Sequence, residues 1–111
     1  MGTLYYGSQG TPIEINDRAL AHVKMVIVSK LRRGEAFTLS FHHEDGSGRS
    51  TIWLSSAIPL RFTFEEVKRT ELNARWLEEL AESANLLGGI TLVPERTDDG
   101  GTTLVPETKA S

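Results

Sequence analysis

The chain has 111 residues, a formal net charge of −3 and no cysteine. That length suits one domain with one hydrophobic core, and the absence of thiols excludes disulfide staples and cysteine zinc sites. The charge excludes the basic surplus by which a non-specific duplex binder displaces counterions. It is also uneven: residues 1–88 carry ten Lys/Arg against eleven Asp/Glu, and residues 89–111 carry two against four.

Met1-Gly2-Thr3-Leu4-Tyr5-Tyr6 shows neither the basic start nor the apolar stretch of a secretory signal. The longest apolar run, Met25 to Val28, is far too short to span a bilayer. The expectation is a cytoplasmic protein with no membrane partner.

Leu4-Tyr5-Tyr6 is β-prone, Gly7-Ser8-Gln9-Gly10 is turn material, and Ile13-Glu14-Ile15 alternates. Together they predict a hairpin in which Pro12, lacking an N–H, takes an edge position or a strand start. A helix opens at Asn16-Asp17, with Asp17 as N-cap and its charge at the positive end of the dipole. At 100° per residue, Ala19, Leu20, Val23, Val26, Ile27, Val28 and Leu31 share one arc, with His22, Met25, Ser29 and Arg33 opposite. Lys30, Arg32 and Arg33 complement its carboxyl end, and Gly34 supplies the left-handed residue beyond it.

Three alternating segments come next: Phe37–Phe41, Ser50–Leu54 after the Asp45-Gly46-Ser47-Gly48 turn, and Leu60–Phe64. They predict an antiparallel meander with one face on the core. Glu65 to Leu72 is a charged loop. Asn73 caps a second helix whose Leu77, Leu80, Ala81, Ala84 and Leu87 share a face, and Gly88-Gly89 stops it. Ile90–Val93 adds a strand. Thr91-Leu92-Val93-Pro94-Glu95 then recurs as Thr103-Leu104-Val105-Pro106-Glu107, as a hairpin partner or a slipped duplicate of one edge strand. The expected layout is a single domain over 1–95 and an acidic, flexible tail over 96–111. Its class is α+β, a two-layer sandwich in the order β-β-α-β-β-β-α-β, with two helices on one face of an antiparallel sheet.

Chemistry-bearing motifs are sparse. His42-His43-Glu44-Asp45 is the densest group of possible ligands, but adjacent strand residues point to opposite faces and cannot easily chelate together. Gly46-Ser47-Gly48 leads into a strand rather than a helix N-terminus, so it reads as a turn and not a phosphate cradle. Glu65-Glu66 and Glu78-Glu79 lack the apolar pocket that raises an acid's pKa. No catalytic residue, metal site or cofactor is assigned. With Phe37, Leu39, Phe41, Ile52, Leu54, Leu60, Phe62 and Phe64 turned inward, the other face shows Thr38, Ser40, His42, Thr51, Trp53, Arg61 and Thr63. A tryptophan among small hydroxyls suits a subunit interface, a lid supplied by the N-terminal hairpin or tail, or a stacking platform for a base. Lys30, Arg32, Arg33 and Arg49 are the candidate basic patch.

The segments Asp17–His22, Val26–Glu35, Gly48–Leu54, Ile58–Leu60 and Ser83–Asn85 resemble a family of short actinobacterial proteins treated as a domain of unknown function. The resemblance covers about residues 1–95, and many members carry the label ATP-dependent DNA ligase. It brings no assigned catalytic or binding residue, and it implies at most an association with nucleic acid. A nucleotidyl ligase needs a lysine in a Lys-x-Asp-Gly motif, and none of Lys24, Lys30, Lys68 and Lys109 is followed by Asp-Gly. The residues therefore point to a non-enzymatic interaction module that self-associates, with a nucleic-acid accessory protein as the alternative.

Overall fold

A computed structural model describes residues 1–69 and 71–95, apart from the side chains of Leu86 and Leu87. The expected tail, the second copy of the repeated pentapeptide and the inward placement of Leu87 lie outside the described residues. The element order is β1 (Gly2–Tyr6), β2 (Thr11–Ile15), α1 (Asp17–Arg32), β3 (Phe37–His42), β4 (Arg49–Leu54), β5 (Leu60–Thr63), α2 (Ala74–Leu87) and β6 (Gly89–Thr91). The fold is α+β, in the order expected.

Two three-stranded sheets replace the single one. β2-β1-β5 is wholly antiparallel; β4-β3-β6 pairs β3 with β4 antiparallel and with β6 parallel. Pro12 does sit on an edge strand, where its missing donor costs no ladder bond. The meander is corrected at β5, which leaves β4 and pairs with β1, setting Leu4 opposite Phe62. The reason lies in the connection. Ser55 closes a local turn with Ile58 (3.1 Å), and the Pro59 carbonyl accepts the Gly7 amide at 3.0 Å, which lays the next strand beside β1. Alternation assigns each side chain a face but says nothing about which strand lies alongside.

α1 packs on β1 and α2, and α2 packs on β6. Between them Leu4, Leu20, Ile27, Leu39, Leu54, Leu80 and Ile90 are fully buried. Each such side chain contributes about 2 kcal/mol at most, because the unfolded chain already hides part of its surface. Both helix ends follow local chemistry. Asn16, not Asp17, is the N-cap of α1, its side chain accepting the Arg18 and Ala19 amides. Asp17 stands one residue inside and instead accepts the Glu65 and Glu66 amides at 3.0 Å, anchoring the charged loop. At the other end the Gly34 amide reaches the Leu31 carbonyl and the Glu35 amide the Lys30 carbonyl, a Schellman closure with Gly34 at φ +75°.

The helical wheel misplaces two residues: Val28, expected in the core, is exposed, and His22, expected opposite, is buried, as is Lys30, which the sequence set against the carboxyl end of the dipole. α1 is sandwiched between a sheet and a second helix, so its buried surface is wider than one stripe. The flank facing α2 meets Trp76, whose ring centroid lies 4.5 Å from that of His22. Both imidazole nitrogens are used: Nε2 accepts the Asn73 backbone N–H at 2.8 Å, and Nδ1 donates to the Arg18 carbonyl at 2.7 Å. An amide can only donate, so the neutral tautomer with its proton on Nδ1 is required.

Gly89 opens β6 beside Thr38, and a Cβ there would meet Thr38 Oγ1 at 1.9 Å and the Thr38 carbonyl at 2.9 Å. Gly89→Ala should therefore cost about 1–3 kcal/mol through overpacking, a fall of roughly 4–8 °C in Tm per kcal/mol. Thermal unfolding by circular dichroism measures it.

Burial pushes the pKa of His22 below its ordinary value, against the opposing pull of the Arg18 carbonyl. The unfolded chain thus takes up a proton first, so stability is full above the unfolded pKa and falls as the pH drops towards the folded value. Between pH 7.5 and 5.5 the domain should lose about 1 kcal/mol in urea titrations. In His22→Gln that slope should vanish.

Candidate functional site

In the ladder of the second sheet Thr38 stands opposite Trp53, Ser40 opposite Thr51 and His42 opposite Arg49. These three pairs form the outward face, because the intervening Phe37, Leu39 and Phe41 enter the core. Ser40 and Thr51 share a hydroxyl hydrogen bond of 2.8 Å. Trp53 is 54% exposed, so the N-terminal hairpin does not serve as its lid. Its backbone is nevertheless pinned: the Tyr6 hydroxyl donates to the Trp53 carbonyl at 2.6 Å, a bond from the first sheet to an edge strand of the second.

The structure brings His42, Arg49, Thr51 and Trp53 together and separates Arg61 and Thr63 from them. Those two lie on β5, in the other sheet. Arg61 stands over the Tyr5 ring at 5.8 Å, and the Thr63 hydroxyl donates to the Thr3 carbonyl at 3.4 Å. The expected basic patch is divided as well. Lys30 is buried with its ammonium 2.9 Å from Glu35 Oε1 and 5.9 Å from the Phe37 ring centroid. Arg33 holds the other Glu35 oxygen at 2.8 Å. Bonds from Lys30 and Arg33 draw the Glu35 carboxyl below its usual range, so much of the positive charge at this helix end is answered locally. Arg32 and Arg49 remain exposed, the first at the end of α1 and the second on the Trp53 face.

A cleft of about 500 Å³ opens between the two sheets, lined by Tyr6, Ile13 and Glu14 from one and Phe41, His43, Ser50 and Ile52 from the other. Sequence reasoning considered His43 only as a metal ligand and passed over Ser50. Here His43 Nε2 lies 2.7 Å from Ser50 Oγ and Nδ1 lies 2.9 Å from Ser47 Oγ. Asp45 Oδ1 accepts the Ser47 amide at 2.9 Å, and Ser47 holds the Asp45 carboxyl below its ordinary range. A serine this close to an imidazole has the geometry of an activated hydroxyl. These bonds, however, all cross the β3–β4 turn, where His43 N–H also meets the Gly48 carbonyl at 2.8 Å. They staple the hairpin end. The one signal available beforehand was a histidine flanking a turn with serines four and seven residues on. Among the described residues no three His, Asp or Glu side chains gather to hold a metal ion, and no helix is long and apolar enough to cross a membrane.

Replacing the staple should loosen the hairpin without unfolding the domain. His43→Ala should cost about 1 kcal/mol, the net worth of an exposed side-chain hydrogen bond or two. Faster amide exchange should be confined to the segment around residues 43–50.

No curated protein and no solved structure matches the chain. A family described as a domain of unknown function, DUF7882, matches residues 1–95, the whole span from β1 through the Glu95 carboxylate, and the chain belongs to that family.

Proposed function

We propose that the outward face of β3 and β4 docks a second copy of this chain, making the domain a self-associating interaction module with no catalytic residue or cofactor of its own. The exposed indole of Trp53 carries the reading. Tryptophan concentrates binding energy at interfaces, and a pinned backbone lowers the entropy lost on docking. The neighbours fit this role, since small hydroxyls at Thr38, Ser40 and Thr51 leave the ring proud of the surface. The face is also complementary to itself. Trp53 lies towards one end of the ladder, and Arg49 with His42 lies four residues away at the other. A two-fold axis through the middle sets each guanidinium over the opposite indole, a cation–π contact made twice.

Stacking of single-stranded nucleic acid on the same indole is the competing use. It is disfavoured by the net charge of −3 and by the bonds that Lys30 and Arg33 make to Glu35. With no cysteine to oxidise, the module suits the cytoplasm.

Sedimentation equilibrium on wild type and Trp53→Ala tests the proposal. The wild type should dimerise, and the variant should weaken association by about 2 kcal/mol or more while melting unchanged. A wild type that stays monomeric at several hundred micromolar overturns the reading. Oligonucleotide quenching of Trp53 fluorescence that fades with added salt would put the nucleic-acid use in its place.

A further inference from the structure

The first copy of the repeat is a structural element. β6 lies along β3 on the edge opposite β4, bordering the Trp53 face at Thr38 and Ser40, and the four residues after it run on past Ser40 towards α2 and the start of α1. Gly88 closes α2 at φ +76°, and Gly89 fits where a Cβ would strike Thr38. The Thr91 amide donates to Ser83 Oγ at 3.0 Å and the Leu92 amide to the Ser40 carbonyl at 2.9 Å. The Val93 carbonyl accepts the Trp76 indole N–H at 2.8 Å. Glu95 takes Arg18 through both carboxylate oxygens at 2.7 Å and accepts from the Asn73 side chain at 2.9 Å. These contacts define a slot for an extended segment reading Gly-x-Thr-Leu-Val-Pro-Glu.

The duplication extends beyond the pentapeptide. Gly88-Gly89-Ile90-Thr91-Leu92-Val93-Pro94-Glu95 is matched by Gly100-Gly101-Thr102-Thr103-Leu104-Val105-Pro106-Glu107, with one difference in eight, at Ile90. Both glycines are kept, including the one whose missing side chain the slot demands, and so is the glutamate that meets Arg18. Most of the polar contacts run through the backbone, which any chain supplies; the sequence-specific ones are repeated.

We infer that this slot has two occupants in the same chain, and that Gly101–Glu107 takes it when Gly89–Glu95 is displaced. The first copy holds the slot at rest. Thr102 would bury a hydroxyl where Ile90 is fully buried, a handicap of about ten- to a hundredfold. Shifting the register by twelve residues loops out 88–99, a further cost of about fortyfold. The same linker favours exchange within one chain, since it holds the second copy at about millimolar effective concentration. The consequence is a strand that can slip by one repeat while the domain stays closed.

Four full-length chains test this: wild type, Gly89→Val/Glu95→Ala, Gly101→Val/Glu107→Ala, and the quadruple variant. Disabling the second copy alone should leave Tm within a few degrees. Disabling the first should lower Tm yet leave a folded domain, and disabling both should lower it by more than the sum of the two. Additive losses overturn the inference. A second measurement uses the absence of native cysteine. Ser40 and Thr91 are register partners, so Ser40→Cys/Thr91→Cys should form a disulfide as the control. In the Gly89→Val/Glu95→Ala background, Ser40→Cys/Thr103→Cys should form one within a monomer. No such bond, or one found only in dimers, overturns exchange within the chain.

Discussion

Arg18 ties together the parts of this domain that are farthest apart in sequence. It sits in the first turn of α1, grips Glu95 with two charge-assisted bonds of 2.7 Å, and donates a third, at 2.9 Å, to the Glu71 carbonyl ahead of α2. Its own carbonyl receives His22, which in turn receives the N-cap amide of α2. The start of one helix, the start of the other and the end of the last strand segment therefore meet at one guanidinium. Arg18 draws the Glu95 carboxyl below its ordinary range. The arginine is partly exposed, so solvent screening limits the pair to about 1–2 kcal/mol. Its importance lies in what it positions more than in that energy.

The arrangement explains how a 111-residue chain holds two small sheets without covalent staples. Neither sheet buries enough by itself. β2-β1-β5 contributes Leu4 and Ile15 to the core, β4-β3-β6 contributes Phe37, Leu39, Phe41, Leu54 and Ile90, and the helices join the two sets. The Tyr6 hydroxyl on the Trp53 carbonyl adds a polar tie between the sheets. The Trp53 side chain owes its position to this tie and to the ladder, so the most exposed aromatic stands on well-anchored backbone.

Local chemistry made much of this legible beforehand. Period-two segments located β2 to β5, short β-prone runs marked β1 and β6, Asn73 and Gly34 marked helix boundaries, and Pro12 pointed to an edge or a strand start. The outward turn of Trp53 followed from its place between Ile52 and Leu54. What escaped was non-local. No local rule says that β5 returns to β1, or that β6 enters parallel to β3, and the first of those pairings takes Arg61 and Thr63 away from the Trp53 face. His22 and Trp76 escaped for a related reason: a wheel drawn for one apolar stripe cannot foresee a helix buried on two flanks. The His43 staple was hidden because its partners are serines, which carry no signal until a turn gathers them.

The pairings that close each sheet have a kinetic side. Leu4 joins Phe62 in one sheet and Leu39 joins Ile90 in the other, so both ladders are completed by strands more than fifty residues away. Such contacts pay for loop closure before they return any stability, which slows folding relative to a helical chain of this size. During synthesis the β1–β2 hairpin emerges well before β5, and the β3–β4 hairpin well before β6, so the β1 and β3 edges that those strands later cover stand open in the meantime. Those edges are templates for pairing with other chains. β1 and β3, which present those edges, have only five and six residues, and such short strands leave little edge exposed to misassembly while the nascent chain waits.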